Sequence, residues 1–68
     1  MEEMYACLLG KWVNLTAEEM TIEGRPALEW WHENSQDALA AGYIEIYHRR
    51  RKYRIHPSFI QTYEKSNW

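Results

Sequence analysis

The sequence predicts a small α+β domain, helices followed by a β-hairpin. Three stretches carry that expectation. Pro26 and Gly42 bracket a segment with apolar residues at three- and four-residue spacing. Gly42 to Ile60 alternates apolar and polar residues on either side of a cationic tip. Thr16-Ala17-Glu18-Glu19 has the spacing of a helix capping box.

The hairpin organises the rest. Tyr43 to His48 form one strand and Tyr53 to His56 the other, with Arg49-Arg50-Arg51-Lys52 as the loop. That register sets Ile46 opposite Ile55, Glu45 opposite His56 and Tyr47 opposite Arg54. Ile44 and Tyr53 then share the apolar side. A one-residue slip would turn the isoleucines to the wrong face. The tip holds no Gly, Asn or Asp to favour a tight turn. A single bent strand, or a helix, therefore stays open as an alternative.

Upstream, Glu2 to Leu9 is expected to open a helix, with acids in the first turn where the dipole favours them. Met4, Tyr5, Leu8, Trp12 and Leu15 fall near one helical face. Gly10 weakens or ends that helix. A strand over Lys11 to Leu15 competes, because Trp-Val suits a sheet. Thr16 to Gly24 is expected to form a short second helix, stopped by Gly24 in a left-handed cap. The alternation of Met20 to Glu23 admits a strand there instead.

Pro26 suits the first position of the longer helix and Gly42 its end. Ala27, Leu28, Trp31, Ser35, Ala38 and Leu39 make its inward face. Trp30 points ~100° away from Trp31 and is expected partly exposed. Asn34 and Ser35 are poor mid-helix residues and could break it. After the hairpin, Pro57 cannot extend a central strand. Ser58 to Lys65 makes a final strand or helical turn that packs Phe59, Ile60 and Tyr63, and Ser66 to Trp68 frays. The expected core is Leu28, Trp31, Leu39, Ile44, Ile46 and Ile55.

Sixty-eight residues make a single domain, 1–68. A chain this short buries roughly 60% of its unfolded surface. Hydrophobic residues at 46% exclude compositional disorder. Cys7 is the sole cysteine, which excludes an internal disulfide framework. Glu2 and Glu3 at the start, and an apolar run of only Ala6 to Leu9, do not make a signal peptide. No stretch approaches the ~18 apolar residues of a membrane helix. A soluble, cytoplasmic protein without a membrane partner is expected.

Charge divides the chain. Residues 1–37 hold eight acids against Lys11 and Arg25, a net of −6. Residues 38–68 hold Arg49, Arg50, Arg51, Lys52, Arg54 and Lys65 against Glu45 and Glu64, a net of +4. The halves either neutralise each other in the fold or leave one basic end.

Arg49, Arg50, Arg51, Lys52 and Arg54 with Tyr47 and Tyr53 form a basic patch interleaved with aromatics. Such a patch suits phosphate contact and base stacking. Its bland counterpart is a solvated loop tip. His32, His48, His56 and Cys7 lack structural zinc spacing, so no metal or cofactor is expected. Glu18-Glu19 and Glu29 with Glu33 read as a cap and a solvated helix face. Cys7 has no basic partner nearby in sequence and reads as a small core residue. With no phosphate loop or nucleophile signature, no enzyme is expected.

The order of elements resembles the winged helix-turn-helix fold over residues 15–60. Leu15-Thr16-Ala17-Glu18-Glu19-Met20 looks like the opening helix of that motif. Leu39-Ala40-Ala41-Gly42-Tyr43-Ile44 looks like the junction from recognition helix to wing. Lys52-Tyr53-Arg54-Ile55-His56-Pro57-Ser58-Phe59-Ile60 is similar to the Tyr-x-Ile-Asn-Pro segment closing the wing in plasmid and phage replication-initiator domains. The resemblance implies a recognition helix in the major groove and a wing on backbone or minor groove. The expected recognition helix departs from the pattern: it carries Glu29, Glu33 and Asp37 and no Arg or Lys, and acids repel phosphate. Gly10-Lys11-Trp12 is similar to the Gly-x-Trp near the start of lipocalins, although the chain is far too short for their barrel.

The leading functional expectation is a regulatory or replication-associated protein, of phage or bacterial type, that binds nucleic acid, DNA rather than RNA, through the hairpin. The alternative is a protein-interaction module that docks through Glu29, Trp30, Glu33 and Asp37. Homodimerisation suits either. The surface decides between them. A basic wing continuous with a helix face favours nucleic acid, and an isolated tip beside an acidic face favours protein.

Overall fold

The computed structural model describes residues 1–64. They form two antiparallel sheets and, among the described residues, one α-helix. Strands dominate, which corrects the expectation of helices followed by a hairpin. Lys65 and the expected frayed segment Ser66 to Trp68 lie outside the described residues.

The N-terminal helix is replaced by a strand, β1 (Glu2–Leu8), which turns at Leu9-Gly10 into β2 (Lys11–Asn14). The reason is period two. Met4, Ala6 and Leu8 are buried while Glu3, Tyr5 and Cys7 face outward. Cys7 is therefore a half-buried residue of the outer face and not of the core. β1 is the centre of the first sheet. It pairs with β2 on one side and with β7 (Ile60–Glu64) on the other.

The second expected helix is also absent. Residues 15–19 form a turn, followed by the short strands β3 (Thr21–Ile22) and β4 (Arg25–Pro26). Thr16 does not cap a helix. Its hydroxyl accepts a hydrogen bond from the Met4 N–H at 3.0 Å, and the Leu15 N–H donates to the Met4 carbonyl at 2.7 Å. These bonds extend the β1–β2 pairing and leave Thr16 committed to the sheet. Asn14 takes the capping role, its side-chain oxygen accepting from the Ala17 N–H at 3.0 Å. Without that helix there is no helix-turn-helix among the described residues, and the winged-helix arrangement is overturned.

The long helix exists, as α1 (Ala27–Ala41), and passes through Asn34 and Ser35 unbroken. Gly42 ends it at φ 83°, its N–H donating to the Ala38 carbonyl. Its inward face is Ala27, Trp30 and Ala38, rotated by roughly 60° from the expected one at ~100° per residue. Trp30 is thus buried at 8% exposure, Trp31 is half-buried, and Leu39 is 58% exposed. Trp30 can enter because its indole N–H finds a carboxylate, that of Glu23.

β5 (Ile44–His48) and β6 (Arg51–Ile55) form the expected hairpin, followed by a 3₁₀ turn at Pro57–Phe59. The register differs: Ile44 faces Ile55, Glu45 faces Arg54, Ile46 faces Tyr53 and Tyr47 faces Lys52. The loop is two residues, Arg49 and Arg50, and not four. Each partner moves by two positions, so the apolar face is unchanged. The second sheet runs β4-β3-β5-β6.

Between the sheets and α1 lie Met4, Leu15, Ile22, Ile44 and Ile46, all essentially without solvent exposure. Leu28, Trp31, Tyr53, Ile55 and Ile60 flank them, half-buried. Phe59 and Tyr63, expected to pack, are about half exposed, at 48% and 49%.

Candidate binding surface

Among the described residues, three hairpin turns have two central residues at positive φ. They are Leu9-Gly10, Glu23-Gly24 and Arg49-Arg50. Such turns match the twist of the flanking strands and favour Asn-Gly. The first two place glycine second. The third holds arginines at φ 48° and 66°. An L-residue there costs about 1–3 kcal/mol.

Arg49, Arg50 and Arg51 are exposed, and no carboxylate among the described residues lies within 4 Å of them. The other two cations are engaged. Arg54 meets Glu45 at 2.9 Å and lies 4.9 Å over the Tyr43 ring, and Lys52 meets Glu45 at 3.5 Å. The Arg54 hydrogen bond holds the Glu45 carboxyl below the usual carboxylate range. Tyr47 is exposed on the outer face of the hairpin, whereas Tyr53 is half-buried on the inner one. The predicted basic patch is therefore split: three free arginines and Tyr47 project, two cations are neutralised, and Tyr53 packs.

The predicted acidic face is split too. Arg25 meets Glu29 at 2.7 Å and also pairs with Glu33, which holds its guanidinium firmly protonated. Trp30 is core. Asp37 alone of that set stays free of an ion pair among the described residues, on the exposed side of α1 nearest the hairpin.

Asp37 borders a cleft of about 490 Å³ between α1 and β5, lined by Ile22, Glu23, Trp30, Asn34, Ala38, Tyr43, Ile44 and Glu45 among others. Its origin is an incomplete sheet. β3 pairs with β5 at Thr21–Tyr47, and then the chain turns away at Glu23-Gly24. In the β5–β6 hairpin, His48, Ile46 and Ile44 direct backbone groups to β6, and Tyr47 and Glu45 direct theirs away from it. Tyr47 has Thr21. Carried two residues further, the same register sets Glu23 opposite Glu45, and both residues line the cleft. The acids Glu23, Asp37 and Glu45 surround this cleft. Sequence reading missed Glu23, Tyr43 and Glu45 as site residues. The Glu23-Gly24 turn was the available signal.

A second concavity, about 450 Å³, lies on the outer face of the first sheet among Glu3, Tyr5, Trp12, Gln61 and Tyr63. Tyr5 and Tyr63 meet edge to face at 6.5 Å. His56 closes the 3₁₀ turn by accepting from the Ser58 N–H, and His32 bonds Glu2 at 2.6 Å. Among the described residues no three His, Cys, Asp or Glu side chains converge to hold a metal ion. Among the same residues no helix is long and apolar enough to cross a membrane. No protein family, curated protein or solved structure matches this chain.

Proposed function

We propose that the protein acts without catalysis, as a cytoplasmic protein-binding module whose contact surface is the helix–hairpin end. One observation carries this. Three arginines free of acids among the described residues, two of them on a strained turn and the third opening β6, and a cleft ringed by Glu23, Asp37 and Glu45 belong to the helix–hairpin end. Lys52 and Arg54 are held on Glu45, at 3.5 and 2.9 Å, so the basic patch left open to a polyanion is three arginines wide. A protein surface can offer both signs of charge. The tip is isolated from any basic helix face, the arrangement expected of a protein contact. Cys7 unpaired is consistent with a reducing compartment.

Nucleic acid is the second reading, favoured by Arg49, Arg50 and Arg51 lying free of acids among the described residues. Titration with duplex and single-stranded DNA at low salt separates the two. Protein docking predicts no saturable DNA binding, and amide shifts at Asp37 and Glu45 on adding a basic peptide. DNA binding predicts a log–log salt slope of about −3 for three phosphates, abolished when Arg49, Arg50 and Arg51 are all replaced by alanine. Saturable DNA binding with that slope would overturn the protein reading.

A further inference from the structure

We infer that the outer face of the first sheet binds a proline-rich segment of a partner protein, held as a polyproline II helix with a basic residue beside Glu3. This surface is separate from the helix–hairpin end: its lining shares no residue with the cleft between α1 and β5. Period two puts Trp12, Tyr5 and Tyr63 on one side of the sheet. Trp12 is level with Cys7 and Tyr63 is level with Glu3, two residues to either side of Tyr5. The three rings therefore form a diagonal row across β2, β1 and β7. Diagonal neighbours of this kind stand roughly 7–8 Å apart. The Tyr5 and Tyr63 rings lie 6.5 Å apart and nearly perpendicular. Trp12 and Tyr63 keep 51% and 49% exposure. The support is rigid, because β1 is paired on both sides and the Asn14 amide bonds both the Glu3 carboxylate and the Tyr5 hydroxyl.

The row and its charge select the ligand. Aromatic rows also stack the bases of single-stranded nucleic acid, but such sites add a cationic groove for the backbone. The lining here holds no Lys or Arg and includes Glu3, which makes no ion pair among the described residues. A polyproline II helix has three residues per turn and rises ~3.1 Å per residue, about 9 Å per turn. That repeat is close to the step of the row, so prolines on one edge of the helix meet successive rings. Its carbonyls have no internal partners, and the Trp12 indole N–H and the Gln61 amide are donors for them. A preformed helix loses little entropy on binding, which suits a shallow aromatic groove. Glu3 then receives a lysine or arginine at the Tyr63 end of the segment.

The test uses the whole protein and fluorescein-labelled decaprolines, plain or with an arginine at either end. The expected result is saturable binding by anisotropy, a shift of the Trp12 indole N–H, and a preference for one of the arginine peptides over the plain one. Trp12→Thr and Tyr63→Thr keep strand propensity; each should lower affinity about tenfold or more and still melt cooperatively. Glu3→Gln should abolish the preference for arginine and leave binding of plain decaproline in place. Replacing Arg49, Arg50 and Arg51 with alanine should change none of this, which separates the result from the fate of the helix–hairpin reading. Failure of every decaproline to bind, or binding that survives both threonine variants, would overturn the proposal. Tighter binding of oligothymidylate than of decaproline would make the row a nucleic-acid platform instead. A dimer that Trp12→Thr dissociates would make a second copy of the chain its occupant, and would overturn the proposal too.

Discussion

The indole N–H of Trp30 donates to the Glu23 carboxylate and so ties the first turns of α1 to the turn between β3 and β4. The bond lets a large aromatic enter the core without stranding its polar atom. Trp30→Ala is expected to cost about 3–5 kcal/mol, the range for a buried aromatic. Trp30→Phe keeps an aromatic ring and loses about 0.5–1.5 kcal/mol, the net value of one hydrogen bond. Trp31→Ala should cost less than Trp30→Ala, since Trp31 is half-buried. Urea denaturation of the three variants gives the order. A larger loss for Trp31 would put the wrong face of α1 in the core.

The Arg49-Arg50 turn is a testable source of strain. Installing an Asn-Gly turn there, by Arg49→Asn and Arg50→Gly together, should raise stability by about 1 kcal/mol or more. For a domain of this size that is roughly 4–8 °C in melting temperature. The same double variant should lose whatever binding the tip provides. An unchanged melting temperature would show that the turn carries no strain.

Acid should act through Glu45. Its folded carboxyl titrates below its unfolded value because Arg54 hydrogen-bonds the charged form. The stabilisation is therefore complete above the unfolded value near 4.5, and is lost as pH falls through the lower folded value. Melting temperature should decline across that interval. Glu45→Gln should lower stability at neutral pH and flatten the acid limb. An acid limb of undiminished slope in Glu45→Gln would assign the effect to other carboxylates.

Asn14 holds the turn that replaced the expected second helix. Its amide donates to Glu3 at 3.1 Å and to the Tyr5 hydroxyl at 3.3 Å, and its oxygen accepts from Ala17. Asn14→Ala should cost about 1–2 kcal/mol, as loss of a cap does. Thr16→Val, which removes the acceptor for the Met4 N–H, should cost about 1–3 kcal/mol by leaving that donor unpaired. Leu39→Lys, by contrast, should stay within about 0.5 kcal/mol, because the side chain is exposed. Thermal melts of the three rank the turn, the clamp and the surface. A neutral Thr16→Val would mean that water replaces the hydroxyl.

The parts legible in sequence were those with local punctuation. Pro26 and Gly42 marked α1, and period two marked β5 and β6. The register was misjudged because nothing in Arg-Arg announces a two-residue turn. The N-terminal half misled for a different reason. Met4, Leu8, Trp12 and Leu15 satisfy helical spacing, while Met4, Ala6 and Leu8 satisfy strand spacing equally well. The long-range pairing of β1 with β7 decided between them, and no window of sequence contains it. Thr16 and Glu19 kept their capping-box spacing, yet the Thr16 hydroxyl was claimed by Met4. At the candidate site, the cations and acids were visible in sequence. Which of them neutralise each other was not, since Glu45 with Arg54 and Arg25 with Glu33 are set by tertiary placement.

The pairing of β1 with β7 sets the order in which this chain can fold. Glu2 meets Glu64 and Ala6 meets Ile60, so the first sheet closes a loop that spans nearly all the described residues. The closure entropy grows as about (3/2)RT ln n, and nothing local offsets it until Met4 and Leu15 find the core. The β5–β6 hairpin needs a closure of only two residues and can form early. Loop closure therefore favours the ribbon that carries the basic tip ahead of the N-terminal sheet. A fragment stopping short of β7 would leave the backbone edge of β1 from Glu2 to Ala6 unpaired and should aggregate.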